Sequence, residues 1–171
     1  MKHYPLILAG FLLFSTAALA LEKSGTERVD EVLLRSQSAL PFSTDQTLQT
    51  FSKTVHGGIQ HIVVKSADNT RQIKLIQAYL LKMANEFRKG DFSGTERIHG
   101  AGMPGLVQLK TAKTDDIKFE YEALDNGAQI HYSTEYPQFV QALHEWFDAQ
   151  MNDHGSKVIP EHSQHHSTPA E

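Results

Sequence analysis

Between Asn69 and Asp91 apolar residues recur at steps of three and four: Ile73, Ile76, Leu80, Met83 and Phe87. That spacing places them on one face of an amphipathic helix. Asn69 or Thr70 offers an N-cap, and Gly90 a C-terminal stop. The segment "YPQFVQALHEWFDAQMNDHG" has the same period, with Pro137 at its start and Gly155 past its end. Its predicted stripe is Phe139, Val140, Leu143, Phe147 and Met151. Ahead of each helix the period changes to strict alternation, the mark of half-buried strands. "LQTFSKTV" and "IQHIVVKS" flank His56-Gly57-Gly58, where Gly-Gly is expected to form the turn. This pairing predicts one face with Val55, Phe51, Ile62 and Val64, and another with Thr54, His56, His61 and Val63. "DIKFEYEAL" and "AQIHYSTE" flank Asn126-Gly127, a strong hairpin signal. Ile117, Phe119, Tyr121, Ile130 and Tyr132 then share one face; Glu120, Glu122, Gln129 and His131 share the other, with His131 facing Glu122.

The order is hairpin, helix, middle segment, hairpin, helix. It predicts an α+β domain over residues 47–155: two β-hairpin–helix units forming a four-stranded antiparallel sheet with both helices on one face. Either unit alone would leave an apolar sheet face bare. Gly58-Ile-Gln60 echoes Gly127-Ala-Gln129, and Gln77-Ala78 echoes Gln141-Ala142, the faint signature of a repeat. Residues 21–46 read as a lead-in segment with a short helix through Val29, Val32 and Leu33, broken by Pro41. The middle, 91–115, is expected to be irregular, with a capping box at Ser93 and Glu96 and a short helix starting in "PGLVQLKTA". After Gly155 the chain turns polar and aperiodic, so 156–171 read as a disordered, histidine-rich tail.

The first twenty residues, "MKHYPLILAGFLLFSTAALA", combine Lys2, an apolar run from Pro5 to Phe14, and Ala18-Leu19-Ala20. That is the layout of a signal peptide, residues 1–20, cleaved after Ala20. The run is short for a membrane span, so no membrane association is expected after cleavage. A periplasmic or secreted location follows. The chain has no cysteine, so its core must hold without disulfides and it lacks thiolate ligands and nucleophiles. A formal net charge of −4 with no basic stripe argues against a nucleic-acid partner.

Ten histidines are the residue type with the most chemical potential. In "ERIHGAGMPGL", Gly100, Gly102 and Gly105 spell G-x-G-x-x-G. No strand precedes it, no long helix opens from it and Pro104 interrupts it, so no nucleotide cofactor is expected. Two readings stand. In one the run is a sharp turn, with His99 bonded locally and Met103 filling a core gap. In the other His99 and Met103 are metal ligands, and an imidazole with a thioether suits copper, Cu(I) above all. "HEWFD" begins like H-E-x-x-H but has Asp148 in place of the second histidine. His144 and Asp148 can be a ligand and its orienting carboxylate, or simply a hydrogen-bonded pair. His154, in the last turn, suits the helix dipole. His56, His61 and His131 with the two glutamates make the open sheet face either a solvated surface or a metal or partner site. His162, His165 and His166 in the tail can capture zinc, nickel or copper weakly. No G-x-S-x-G turn occurs. An acid/base role for His99 or His144 is the enzymatic alternative.

At "GDFSGTERIHGAGMPG" and "ALHEWFDAQMNDHG" the chain resembles a family of small exported bacterial proteins that often carry the automatic label aspartate carbamoyltransferase. The resemblance covers roughly Phe51 to Gly155 and leaves out the N-terminal segment and the tail. It implies that His99, Met103, His144, Trp146, Asp148, His154 and Gly155 lie in characteristic segments, as a shared site or a shared packing requirement. It implies no activity. The S-T-R-T-R loop that binds carbamoyl phosphate in the true transferase, a longer cytoplasmic enzyme, is absent here, as is an H-P-x-Q segment; that activity is not expected. The sequence therefore points to an exported, non-enzymatic α+β protein that binds a transition metal, copper or else zinc, through His99, Met103 and His144. The alternatives are a metal-independent module for a periplasmic protein partner and a small enzyme with a general acid/base histidine.

Overall fold

Two tight hairpins build the sheet. β1 (Thr47–Thr54) pairs antiparallel with β2 (Gly57–Val64), and β3 (Lys118–Leu124) with β4 (Gly127–Ser133). β2 and β4 pair antiparallel in the middle, so the order is β1-β2-β4-β3. α2 (Thr70–Phe87) and α5 (Pro137–His154) cover the inner face. α1 (Ser15–Ala39), α3 (Ser93–His99), α4 (Leu106–Leu109) and a 3-10 turn at Thr44–Gln46 complete the chain. The computed structural model describes residues 15–154. The α+β class and the sheet are those expected from the periodicity.

The turns fall one step earlier than their glycines suggest. Thr54 pairs with Gly57, so Val55 and His56 form the first loop, and Asp125 and Asn126 form the second. Glycine begins each return strand because a side chain would not fit there. A Cβ on Gly57 would lie 2.2 Å from the Tyr132 carbonyl oxygen, one on Gly58 2.2 Å from the Phe147 ring, and one on Gly127 2.0 Å from the Ile62 carbonyl oxygen. Two expectations change in consequence. Val55 is not on the core face but 85% exposed in the loop, and buried Gln60 lies inward with Phe51, Ile62 and Val64. His131 lies opposite Glu120 rather than Glu122.

The repeat is real in register, but offset from its sequence echo. Setting Gly57 against Gly127 aligns Gly58 with Ala128 and His61 with His131, and the buried positions then alternate in step. The predicted match, Gly58 with Gly127, would exchange the faces of the strand. The central pairing obeys the corrected alignment. Gly57 opposite Ser133 and Val63 opposite Gly127 are equivalent pairs about a pseudo-two-fold axis at Gln60 and Ile130.

Each helix packs chiefly on the other unit's hairpin. α2 follows β2 but lies on β4 and β3, whereas α5 follows β4 but lies on β1 and β2. On α2 the predicted stripe is buried throughout, and the Asn69 side chain accepts a hydrogen bond from the Gln72 amide as N-cap. On α5 the stripe is rotated from the prediction. Ala142, Leu143, Trp146 and Phe147 are buried, while Val140 and Met151 are only half-buried. The indole decides this. It buries more apolar surface than a valine can, and it sits among Tyr132, Phe87 and Phe51, with ring centres 5.5, 5.9 and 6.4 Å away.

α1 is longer than the short helix expected and docks on α5 and α3, burying Val32 and Ser36. Residues 15–20 of the predicted signal open this helix; residues 1–14 and the tail lie outside the described residues. No described helix is long and apolar enough to cross a membrane. In the middle segment α3 forms over Ser93–His99 with Phe92, not Ser93, at the N-cap; the Asp91 carboxylate just ahead of it accepts a hydrogen bond from the Ser93 amide at 2.9 Å. The glycine-rich run is a turn, with Gly100 and Gly105 at φ +88° and +74°. Gly105 brings α4 against the backbone of α5, where a Cβ would meet the Ala142 carbonyl oxygen at 2.1 Å.

Gly105→Ala should therefore cost about 2–4 kcal/mol, from the left-handed backbone and the collision together. Gly102→Ala, with nothing within 4 Å of its Cβ position, should stay within about 0.5 kcal/mol of the parent. Urea melts of the two variants measure the difference; equal losses would contradict the close approach of α4 and α5.

Candidate functional site

Polar side chains collect at the C-terminal end of α5. His99, the last residue of α3, is 4% exposed, and its Nδ1 lies 2.9 Å from Oδ2 of buried Asp153. A carboxylate only accepts, so Nδ1 carries a proton and donates. Arg28 of α1 grips the same carboxylate with two donors, Nε to Oδ1 at 2.7 Å and Nη2 to Oδ2 at 2.8 Å. Burial by itself would raise the Asp153 pKa, but hydrogen bonds from His99 and Arg28, with the Arg28 charge, hold it below the usual carboxylate range. Arg28 and Arg35 also donate to the His99 and Ile98 carbonyl oxygens, at 3.4 and 3.3 Å, satisfying the C-terminal end of α3. The network thus ties α1, α3 and α5 together.

The imidazole of His154, also buried, stands edge-on to that of His99, with ring centres 5.0 Å apart and planes at 84°. Both rings border a cavity of about 30 Å³ together with Gln49, Gln60, Tyr79, Met83 and Gln150. That is room for a water or a single ion. Burial and the nearby Glu86 push the Tyr79 hydroxyl up to about 12, so it stays protonated. Gln60 accepts from the Tyr132 hydroxyl at 2.6 Å.

A larger groove, of about 500 Å³, lies towards the other end of α5. The Val55-His56 loop forms one wall, Thr134, Glu135 and Pro137 the rim, and Val140, Gln141, His144, Glu145 and Asp148 the helical side. Here His144 Nε2 donates to the Thr54 and Gly57 carbonyl oxygens at 2.9 and 3.0 Å. Its counterpart in the other unit is Gln77, whose amide donates to the Leu124 carbonyl oxygen at 2.9 Å. Thr54 and Leu124 are equivalent strand ends, so the two side chains do one job: each helix clasps the hairpin it covers.

The residues singled out in the sequence do not converge. Met103 is 1% exposed inside the hydrophobic core. His144 stands nine residues before Asp153 on α5, about 13 Å along the axis, so it cannot share a site with His99. Asp148 does not orient His144; it pairs with Lys53 of β1 at 2.5 Å, a half-exposed contact of little energetic weight. His56 lines the groove rather than the open sheet face. On that face His131 Nε2 accepts from the Gln129 amide, which also donates to Glu122, and burial lowers the His61 pKa. His162, His165 and His166 lie outside the described residues. Among the described residues no three histidine, aspartate or glutamate side chains group around a common metal position. Reading by sequence passed over Arg28, Asp153 and the packing of His154. A distant arginine and a polar helix end carry no periodic signal; the one hint was that Asp153 and His154 continue the inward face through Gln150.

No family model, curated protein or solved structure matches the chain.

His144→Ala should destabilise by about 1 kcal/mol by freeing strand carbonyls, whereas His144→Gln should restore most of it, since Gln77 does the same work. Thermal melts of both variants test the clasp. At the other end of α5, the depressed Asp153 pKa makes its contribution complete above the unfolded-state value, near 3.9, and drains it as pH falls through the folded value. Asp153→Asn should cost about 1–3 kcal/mol at neutral pH and flatten the acid limb of the stability profile. An unchanged acid limb would remove Asp153 from that role.

Proposed function

We propose that the protein is an exported, non-catalytic binding protein whose groove beside α5 takes a small amphipathic cation. The observation that carries this reading is the groove itself. Its volume of about 500 Å³ has room for a small organic molecule, one side of which would stay open to solvent. Val55 and Val140 supply apolar contact, and Glu135, Glu145 and Asp148 supply negative charge on the rim and helical side. Among the described residues Asp148 is the one of these that meets a lysine, Lys53. Binding is favoured over catalysis because the groove's histidine on α5, His144, gives its Nε2 proton to two backbone carbonyls that hold the fold. The apolar run and small-residue ending of the first twenty residues support export.

Ligand-observed NMR with panels of organic amines and organic carboxylates tests the reading on the full chain. Amines should bind. Glu145→Lys combined with Val55→Ser, both exposed positions, should weaken binding about tenfold or more without lowering the melting temperature. Equal response to amines and carboxylates, or binding unaffected by the double substitution, would overturn it.

A further inference from the structure

We propose that the open face of the sheet is the interface of a symmetric dimer, stacked on the same face of a second copy of this chain. The groove takes no part in it, so the inference goes beyond the binding reading. α2 and α5 both pack on the inner face, and no other described helix makes extensive contact with the strands. Four cross-strand rows make up the open face. One runs Leu48, Val63, Gly127, Leu124, and its equivalent at the other end of the sheet runs Lys118, Ser133, Gly57, Thr54. The pseudo-two-fold axis relates the two rows, yet the first is apolar and the second polar. Leu48, Val63 and Leu124, with Ile59 in a middle row, are half-buried but stand outside the hydrophobic core. Apolar side chains gathered on a face that no helix covers mark a contact surface.

The face is complementary to itself in one orientation. Sheets that stack in the aligned manner keep their strands within about 30° of each other. A two-fold axis along the strands, between β2 and β4, lays β1 over the partner's β3 and β2 over the partner's β4. Leu48 then meets the partner's Leu124, and Val63 enters the space that the partner's Gly127 leaves without a side chain. Thr50 and Ser52 bring hydroxyl donors to the partner's Glu122 and the partner's Glu120, and no like charges meet. These carboxylates lie on an edge strand, at the polar rim of the contact. A two-fold axis across the strands would instead set Glu120 against the partner's Glu122, a repulsive pairing. Four strands of seven or eight residues cover about 19 by 24 Å. That is the small end of specific interfaces, so the dimer is expected to dissociate in the micromolar range.

Sedimentation equilibrium of the full chain over a range of concentrations tests the interface. The expected result is a reversible monomer–dimer equilibrium. Thr50→Glu sets a carboxylate against the partner's Glu122 and should weaken dimerisation about tenfold or more. Adding Glu122→Lys should restore it, because each new carboxylate then faces an ammonium across the two-fold axis. Within one chain the two positions are three strand spacings apart, about 14 Å, too far for the pair to form there. Leu48→Lys, also on an edge strand, should weaken dimerisation with no rescue from Glu122→Lys. Melting curves near that of the parent show that each variant is folded. A parent chain that stays monomeric at about 1 mM, association that Thr50→Glu and Leu48→Lys leave unchanged, or a charge-swapped chain that does not recover would overturn the proposal.

Discussion

Each hairpin presents an inner apolar face that the helix of the opposite unit covers. α2 lies on β3 and β4, and α5 on β1 and β2, so the two units are interlocked about the β2–β4 pair. Neither can bury its strands alone. Much else follows from that exchange. Glycine begins both return strands because, in this arrangement, the central pair and the Phe147 ring leave no room for a Cβ. Trp146 turns inward because α5 must fill the space over the first hairpin, where Phe51 meets it. Gln77 and His144 reach across to the strand ends Leu124 and Thr54 because those strands are the ones their helices cover.

The pseudo-symmetry also shows where the two halves part. Aligning Gln77 with His144 sets Met83 against Gln150 and Phe87 against His154. The final turn of α2 is thus apolar, whereas that of α5 carries Gln150, Asp153 and His154 in buried positions. α1 and α3 pack against this polar end. Arg28 satisfies Asp153, Asp153 orients His99, and the arginines complete the open carbonyls of α3. A buried carboxylate without these partners would be costly. With them it fixes the orientation of the buried His99 imidazole.

The two ends of α5 therefore differ in character. One end carries an open groove beside exposed Val55, and the other a small cavity of about 30 Å³ bordered by His99 and His154. The packed aromatic cluster of Phe51, Trp146, Phe147 and Tyr132 separates them.

The elements were legible in the sequence because periodicity is local. The stripe of Ile73, Ile76, Leu80, Met83 and Phe87 and the alternation of Phe119, Tyr121, Ile130 and Tyr132 determine helix and hairpin wherever the chain is placed. The α+β class followed from their order. The glycine pattern after His99 was legible as a turn once no strand preceded it. What the sequence could not decide was anything set by contact between distant segments. The turn offset, the rotation of α5 towards Trp146 and the covering of each hairpin by the opposite helix come from which backbones approach within a Cβ's reach. The candidate site is of the same kind. Arg28 and Asp153 are 125 residues apart, and His99 and Asp153 are 54 apart. No spacing rule spans such distances. Those side chains meet only because the core docks α1, α3 and the end of α5 together, and burial then requires each charge to find its partner.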